Sequence, residues 1–88
     1  MEVIYKNKAL KDIDFWKTSG KKTIQNKITK LIEDIQLHPY SGLGKPEALK
    51  YELFGLWSRE IDKGNRLIYE VVEQRIHVIS MRGHYSDK

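Results

Sequence analysis

The most regular hydrophobic pattern in the chain indicates one amphipathic helix. Apolar residues recur every three or four positions and share one helical face: Ile24, Ile28, Leu31, Ile32 and Ile35. The opposite face is rich in Lys and Gln. Pro39 ends the pattern, because the residue before a proline is disfavoured in the helical conformation. The segment therefore predicts a helix packed on a sheet.

A second, shorter helix is predicted nearer the N-terminus. Asn7 is a suitable helix cap, and apolar residues follow it at helical spacing: Ala9, Leu10, Ile13 and Trp16. Thr18-Ser19-Gly20 ends this helix. The four residues from Glu2 to Tyr5 read as a short opening strand, although they could also lead directly into the helix.

The pattern changes to the alternation of strands from Glu47 onward. Leu49, Tyr51 and Leu53 alternate, and further strands are predicted over residues 57–61, 66–72 and 75–80. Turns separate them at 54–56, 62–65 and 73–74. An opening strand and two helices followed by consecutive hairpins predict an α+β fold with a mostly antiparallel sheet. At 88 residues, the chain is expected to form a single domain, 1–88.

Alternation also predicts which side chains share a face of the sheet. If the helices cover the face of Leu67, Arg66 points to an open, wet face. The candidates to line that face are Arg66, Arg82 and His84, with Glu47 and Lys50 approaching from the strand after the glycine-rich loop. A single bulge would reverse such assignments near the strand ends.

Composition makes nucleic acid a plausible partner. Lys and Arg outnumber Asp and Glu by 16 to 12, giving a net charge of +4 and a pI of about 9.3. Basic groups displace counterions from phosphates. The chain has no cysteine, which excludes disulfides and thiolate metal sites. It has neither a signal peptide nor an apolar run long enough to span a bilayer, so a soluble, cytoplasmic protein is expected.

The candidate residues match the requirements of RNA cleavage. A base must take the proton of the ribose 2′-hydroxyl, an acid must protonate the leaving oxygen, and a cation must stabilise the phosphate. Glu47 suits the base because a carboxylate is ionised at neutral pH, and His84 suits the acid because imidazole titrates nearby. Arg66 suits a bidentate grip on phosphate. No cofactor or metal is required.

Each of these residues also has an ordinary structural interpretation. A glutamate after a proline is usually solvated, and an arginine after a turn usually lies on the surface. Without further evidence, His84 would be read as a merely exposed histidine. Trp16 and Trp57 are assigned to the core.

Four short segments resemble a known family. They are Gly44-Lys45-Pro46-Glu47-Ala48-Leu49-Lys50, Leu56-Trp57-Ser58-Arg59, Asn65-Arg66-Leu67-Ile68-Tyr69 and Arg82-Gly83-His84-Tyr85. Together they resemble the YoeB (Txe) toxins, a branch of the RelE-like messenger-RNA interferases, over nearly the whole chain. The resemblance implies a microbial-ribonuclease-like (RelE-like) fold and ribosome-dependent cleavage of messenger RNA.

The resemblance also implies residue roles and partners. Glu47 takes the position of the general base, Arg66 that of the phosphate-stabilising arginine and His84 that of the general acid. Substrate-binding positions fall on Lys50, Arg59, Arg82 and Tyr85. The implied partners are the 70S ribosome with messenger RNA, a YefM-type antitoxin and a second copy in a homodimer. Operator DNA would be reached only through the antitoxin, in co-repression of the operon.

Two features depart from the family pattern. Relatives commonly carry a second basic residue where this chain has Glu60, so weaker binding to RNA or the ribosome is expected. The chain also continues past Tyr85 with Ser86–Lys88, which would crowd the site if ordered. Two alternatives therefore remain beside the nuclease: a translation inhibitor that binds RNA or the ribosome without cleaving, and a co-repressor acting only with its antitoxin.

Overall fold

The computed structural model describes residues 1–84, and Tyr85 and the segment 86–88 lie outside the described residues. Along the chain the elements are β1 (Glu2–Tyr5), α1 (Asn7–Ser19), α2 (Lys22–Leu37), β2 (Glu47–Ala48), a 3₁₀ helix (Tyr51–Leu53), β3 (Trp57–Asp62), β4 (Asn65–Val72) and β5 (Arg75–Ser80). The predicted α+β fold, with an opening strand, two helices and a mostly antiparallel sheet, is confirmed. None of the helices within 1–84 has the length and apolar character to cross a bilayer.

One five-stranded sheet organises the fold, in the order β1-β5-β4-β3-β2. Neighbouring strands are antiparallel except β1 and β5, which are parallel. Apolar residues of α2, such as Leu31 and Ile35, share one core with Leu67 and Tyr69 of β4. The helices therefore cover the Leu67 face, and under that condition Arg66 is expected on the opposite, open face, where it lies.

A β-bulge near the end of β5 changes which residues face the core. Tyr69 pairs with Val78, whereas its neighbour Ile68 pairs with Ser80. The extra residue on β5 moves Ser80 to the open face and Met81 into the core, where Met81 is fully buried. Strict alternation along β5, which would place Ser80 on the core face with Val78, therefore does not hold beyond Val78.

Two local predictions are corrected. Asn7 is not the cap of α1 but its first residue, because Lys6 still donates its backbone N–H to Val78 of the sheet. The alternating strand expected through Leu53 is limited to two residues. Its continuation fails because the Leu49 N–H bonds to the Leu56 carbonyl and closes a short loop that contains the 3₁₀ helix.

Candidate active site

Arg66 is fixed on the open face at the start of β4. It follows the tight turn at Lys63 and Gly64, which joins β3 to β4. Its Nε and Nη2 atoms both donate to the hydroxyl of Ser58, at 3.1 and 3.0 Å. The side chain is 23% exposed. A planar cation held in this way has a defined orientation before any anion arrives.

Glu47 reaches the same place from the edge of the sheet. In the short strand β2, Glu47 pairs directly with Ser58 of β3, so their side chains share the open face. The Glu47 Oε1 atom lies 3.6 Å from Arg66 Nη2, and the Glu47 side chain is 67% exposed. An exposed ion pair this loose contributes little to stability, so an incoming phosphate can compete for the guanidinium.

His84 lies at the same end of β4. The carbonyl of Gly83 accepts the backbone N–H of Arg66 at 3.1 Å, and the Gly83 N–H bonds to the Asn65 side chain at 2.8 Å. His84 is the next residue and is exposed. The fold thus brings the chain around His84 to the strand end that carries Arg66.

Arg59 corrects the expectation of direct substrate binding. It is fully buried, because β3 turns Arg59 towards the helices together with its cross-strand partner Leu67. Its guanidinium forms an ion pair with Asp34 of α2. It also donates to three carbonyls of the loop that follows α2, those of His38, Ser41 and Leu43. Every one of these contacts is internal, so Arg59 cannot reach RNA in this structure.

The Arg59 cluster shifts two proton affinities. Asp34 accepts the backbone N–H of Leu43 and pairs with Arg59, and these contacts hold the pKa of Asp34 below its ordinary value. Burial raises the pKa of Tyr69. The Tyr69 hydroxyl accepts from Arg59 Nε at 3.2 Å and donates to the Pro39 carbonyl at 2.6 Å. The cluster therefore joins α2, β3 and β4 to the loop that leads to Glu47.

The remaining predicted contact residues have different fates. Lys50 is exposed, three residues beyond Glu47. The Arg82 guanidinium instead stacks over the ring of Phe15 in α1, at 3.6 Å from its centroid. Arg82 therefore lies against the helix layer, and its expected place on the open face is corrected. Tyr85 lies outside the described residues.

Sequence reasoning missed the part played by Ser58, which is almost completely buried beside Arg66. Alternation on β3 offered a signal, because it places Ser58 and Glu60 on the face of Arg66. Glu60 pairs with Arg66 across the strands and lies 3.7 Å from Lys45 Nζ. The open face thus carries a carboxylate next to its main cation.

Comparisons with known proteins place the chain among bacterial toxins. A sequence model of the YoeB-like toxins of bacterial type II toxin–antitoxin systems matches residues 5–85. The chain is 44% identical to a Mycobacterium bovis protein named Toxin YoeB over 77 residues, covering 88% of this chain and 89% of that protein.

Solved structures show the same fold. A YoeB/ParE toxin from Agrobacterium tumefaciens superposes with a TM-score of 0.91 at 37% identity, covering 97% of this chain and 100% of that one. Two Staphylococcus aureus structures, a heterotetrameric YoeB–YefM toxin–antitoxin complex and a YoeB dimer, are 31% identical, with TM-scores of 0.85 and 0.86. Each match covers 97% of this chain and 98% of the S. aureus chain.

Proposed function

The chain belongs to the YoeB-like toxins of bacterial type II toxin–antitoxin systems, and on that basis we propose that it is an endoribonuclease that cuts messenger RNA on the ribosome. Glu47 removes the proton of a ribose 2′-hydroxyl, and the 2′-oxygen attacks the adjacent phosphorus. The bond from phosphorus to the 5′-oxygen breaks, and His84 protonates that oxygen. The products are a 2′,3′-cyclic phosphate and a free 5′-hydroxyl. Arg66 stabilises the negative charge that develops on the phosphate in the transition state.

The adjacency of Glu47 and Arg66 carries the proposal. The attacking 2′-oxygen and the phosphate that it attacks are attached to neighbouring carbons of one ribose, so the base and the phosphate-binding cation must be neighbours. Glu47 Oε1 and Arg66 Nη2 lie 3.6 Å apart. Ser58 orients the guanidinium, leaving the competing carboxylate loosely paired. This geometry supports the assigned pair of roles.

The exposure of the site supports dependence on the ribosome. Glu47 and His84 are both exposed. A solvated carboxylate is a weak proton acceptor, and removing its water strengthens it. A large RNA-rich partner that covers the open face would desolvate the site and hold the message in place. In the proposal this partner is the 70S ribosome of the cytoplasm, with Lys50 and Tyr85 contacting the substrate.

The S. aureus relatives support the remaining partners. Their YoeB is found with YefM and also as a dimer. We extend both assemblies to this chain as proposals: a YefM-type antitoxin neutralises the toxin, and two toxin copies form a homodimer. Together with the antitoxin, the toxin would co-repress their operon, contacting operator DNA only through that partner.

One observation favours the alternative of a translation inhibitor that does not cleave. Glu60 places a negative charge opposite Arg66, on the face that would receive the phosphate. Like-signed charges at an interface repel each other and weaken binding, so the Glu60 carboxylate opposes the binding of a phosphate at Arg66. An inhibitor of this kind would stall translation while leaving the message intact.

A ribosome cleavage assay separates these two functions. We expect the antitoxin-free protein to cut messenger RNA on ribosomes. His84→Gln and Glu47→Ala should each lower the rate about 10²-fold to 10⁴-fold, because each removes one proton transfer. Primer extension across the message measures the cuts.

Matched controls use residues outside the site. His77→Gln and Glu33→Ala make the same chemical changes on β5 and α2 and should cut at the normal rate. Normal cutting by both site variants would refute the assigned roles. Stalled translation on an intact message would establish the non-cleaving inhibitor.

A further inference from the structure

Helix α1 contacts the segment that leads to His84. Residues on one face of the helix contact the backbone or side chains of residues 81 and 82: Lys8, Asp12, Phe15 and Trp16. We propose that Asp12, assisted by Trp16, is a positioning residue that sets the location of His84. The inference rests on the proposed role of His84 and adds to it the group that holds the imidazole in place.

The strongest contacts fall on the backbone of Met81. The Asp12 carboxylate accepts the Met81 N–H at 2.8 Å, and the Trp16 indole donates to the Met81 carbonyl at 2.8 Å. Asp12 and Trp16 are each 4% exposed, and Met81 is fully buried. A buried polar group that loses its partner is costly to leave unpaired, so this pair of bonds fixes the peptide firmly.

The contacts with α1 begin where β1 no longer supplies hydrogen-bond partners to the chain after Val78. β1 ends at Tyr5, which pairs with Val78 of β5. Beyond that point, side chains of α1 supply the hydrogen bonds for Met81 that an adjacent strand would otherwise provide. Lys8 adds to the arrangement, because its Nζ lies 2.8 Å from the Asp12 carboxylate and 3.3 Å from the Arg82 carbonyl.

Two further contacts extend the order towards His84. The Arg82 guanidinium stacks on Phe15 of the same helix. The backbone of Gly83 is then bonded to Asn65 and Arg66 on β4. The segment is consequently held by α1 on one side and by the start of β4 on the other. Its position relative to Arg66 depends on both attachments.

The consequence that distinguishes positioning from packing is the catalytic rate. A displacement of about 1 Å between reacting groups can cost roughly 10²-fold in rate. Asp12→Ala removes the acceptor of the Met81 N–H, and we expect kcat to fall about tenfold to a hundredfold with little change in KM. Asp12→Asn keeps a carbonyl oxygen in the same place and should recover most of the loss. Asp14→Ala, on the exposed side of α1, is the matched control.

A double-mutant cycle distinguishes positioning from general weakening. If Asp12 acts through His84, Asp12→Ala should cost little further rate once His84→Gln is present, whereas its loss should add fully to that of Arg66→Lys. Equal losses in the native and His84→Gln backgrounds would overturn the proposal. If Asp12→Ala does not fold, Trp16→Phe, which removes the indole donor and leaves a smaller ring, takes its place in the same cycle, with the same expected and contrary results.

Amide hydrogen exchange tests, without an activity assay, whether α1 holds the segment before His84 in place. Residues 82–84 should exchange faster in Asp12→Ala than in Asp14→Ala, while β4 is unchanged. Identical rates in the two variants would overturn the proposal even if RNA were cut. Should the native protein fail to cut RNA, the proposed nuclease function falls, and the exchange result alone decides whether α1 positions the segment.

Discussion

At the scale of single residues, the pairing of Glu60 with Arg66 sets the charge of the open face. The two residues are directly opposed on β3 and β4, and Lys45 offsets Glu60 only through an exposed contact of 3.7 Å. The carboxylate therefore remains able to repel a phosphate that approaches Arg66. On the proposed function, Glu60 would weaken the binding of RNA without taking part in the reaction.

Neutralising Glu60 should strengthen the binding of the ribosome–message complex in the proposed reaction. We expect Glu60→Gln to lower KM for the ribosome–message complex about twofold to tenfold, with kcat nearly unchanged, because a rim charge acts mainly on association. Glu33→Gln makes the same change of charge on the exposed surface of α2 and should have little effect. Steady-state cleavage at low ionic strength measures both. A KM that rises in Glu60→Gln would contradict the account.

The two arginines of this region show where sequence reasoning succeeds and where it fails. The alternation of β4 predicts the position of Arg66, because Leu67, Tyr69 and Val71 form a continuous apolar face and leave Arg66 on the other. The resemblance implies substrate binding by Arg59, which is wrong because the place of Arg59 on β3 buries it. It alternates with Trp57 and Ile61 on the core face. A charged side chain on that face needs a partner of opposite charge within the fold. That partner, Asp34, is remote in sequence.

At the scale of elements, the loop between α2 and β2 is ordered by the side chain of Arg59. The guanidinium bonds to carbonyls along residues 38–43, and Asp34 accepts the Leu43 N–H at 3.0 Å. Gly42 has a φ of +110°, and a Cβ there would overlap the Asp34 carboxylate. The route of the chain towards Glu47 therefore depends on one buried ion pair.

Removing that pair should destabilise the protein in a pH-dependent way. The pKa of Asp34 is lowered by the Leu43 N–H and by Arg59, so its stabilisation is complete above its ordinary pKa of 3.8. The contribution is lost as the pH falls through the lower pKa of the folded state. At neutral pH, Asp34→Asn should lose about 3 kcal/mol, because Arg59 is left buried and unpaired.

Denaturant unfolding across a pH series measures this contribution. The unfolding free energy of Asp34→Asn should fall less steeply than that of the native protein between about pH 5 and pH 2, so the two curves converge in acid. Asp14→Asn, on the surface of α1, provides the comparison and should follow the native curve. Parallel curves for Asp34→Asn and the native protein would show that the pair does not titrate as described.

Element prediction succeeded where the local pattern was self-sufficient. The apolar stripe of α2 and the Lys63-Gly64 turn specify their structures within a few residues. The bulge at the end of β5 and the brevity of β2 were not predictable, because both depend on pairing with distant strands. These features decide which side chains line the site. The sequence therefore predicts the sheet better than it predicts the position of Arg82.

At the scale of the whole molecule, the net charge of +4 favours association with RNA. Phosphate binding releases counterions, so its strength falls as salt is added. Exposed charges are screened over about 10 Å at 0.1 M salt, whereas the buried Asp34–Arg59 pair is largely protected. Binding and folding should therefore respond differently to ionic strength.

Salt should weaken cleavage without unfolding the protein. We expect log KM for ribosome-bound message to rise steadily with log salt concentration. The thermal midpoint should remain nearly constant over the same range, and its measurement serves as the control. A KM that is independent of salt would indicate that phosphate contacts contribute little to recognition.

The parallel pairing of β1 with β5 has a consequence for synthesis. The contact between Glu2 and Arg75 spans 73 positions of the chain, and β5 lies between β1 and the rest of the sheet. A small domain folds cooperatively, so translation has to deliver β5 before any of the sheet is stable. The nascent polypeptide therefore cannot complete the sheet that carries the candidate site until that strand has left the exit tunnel.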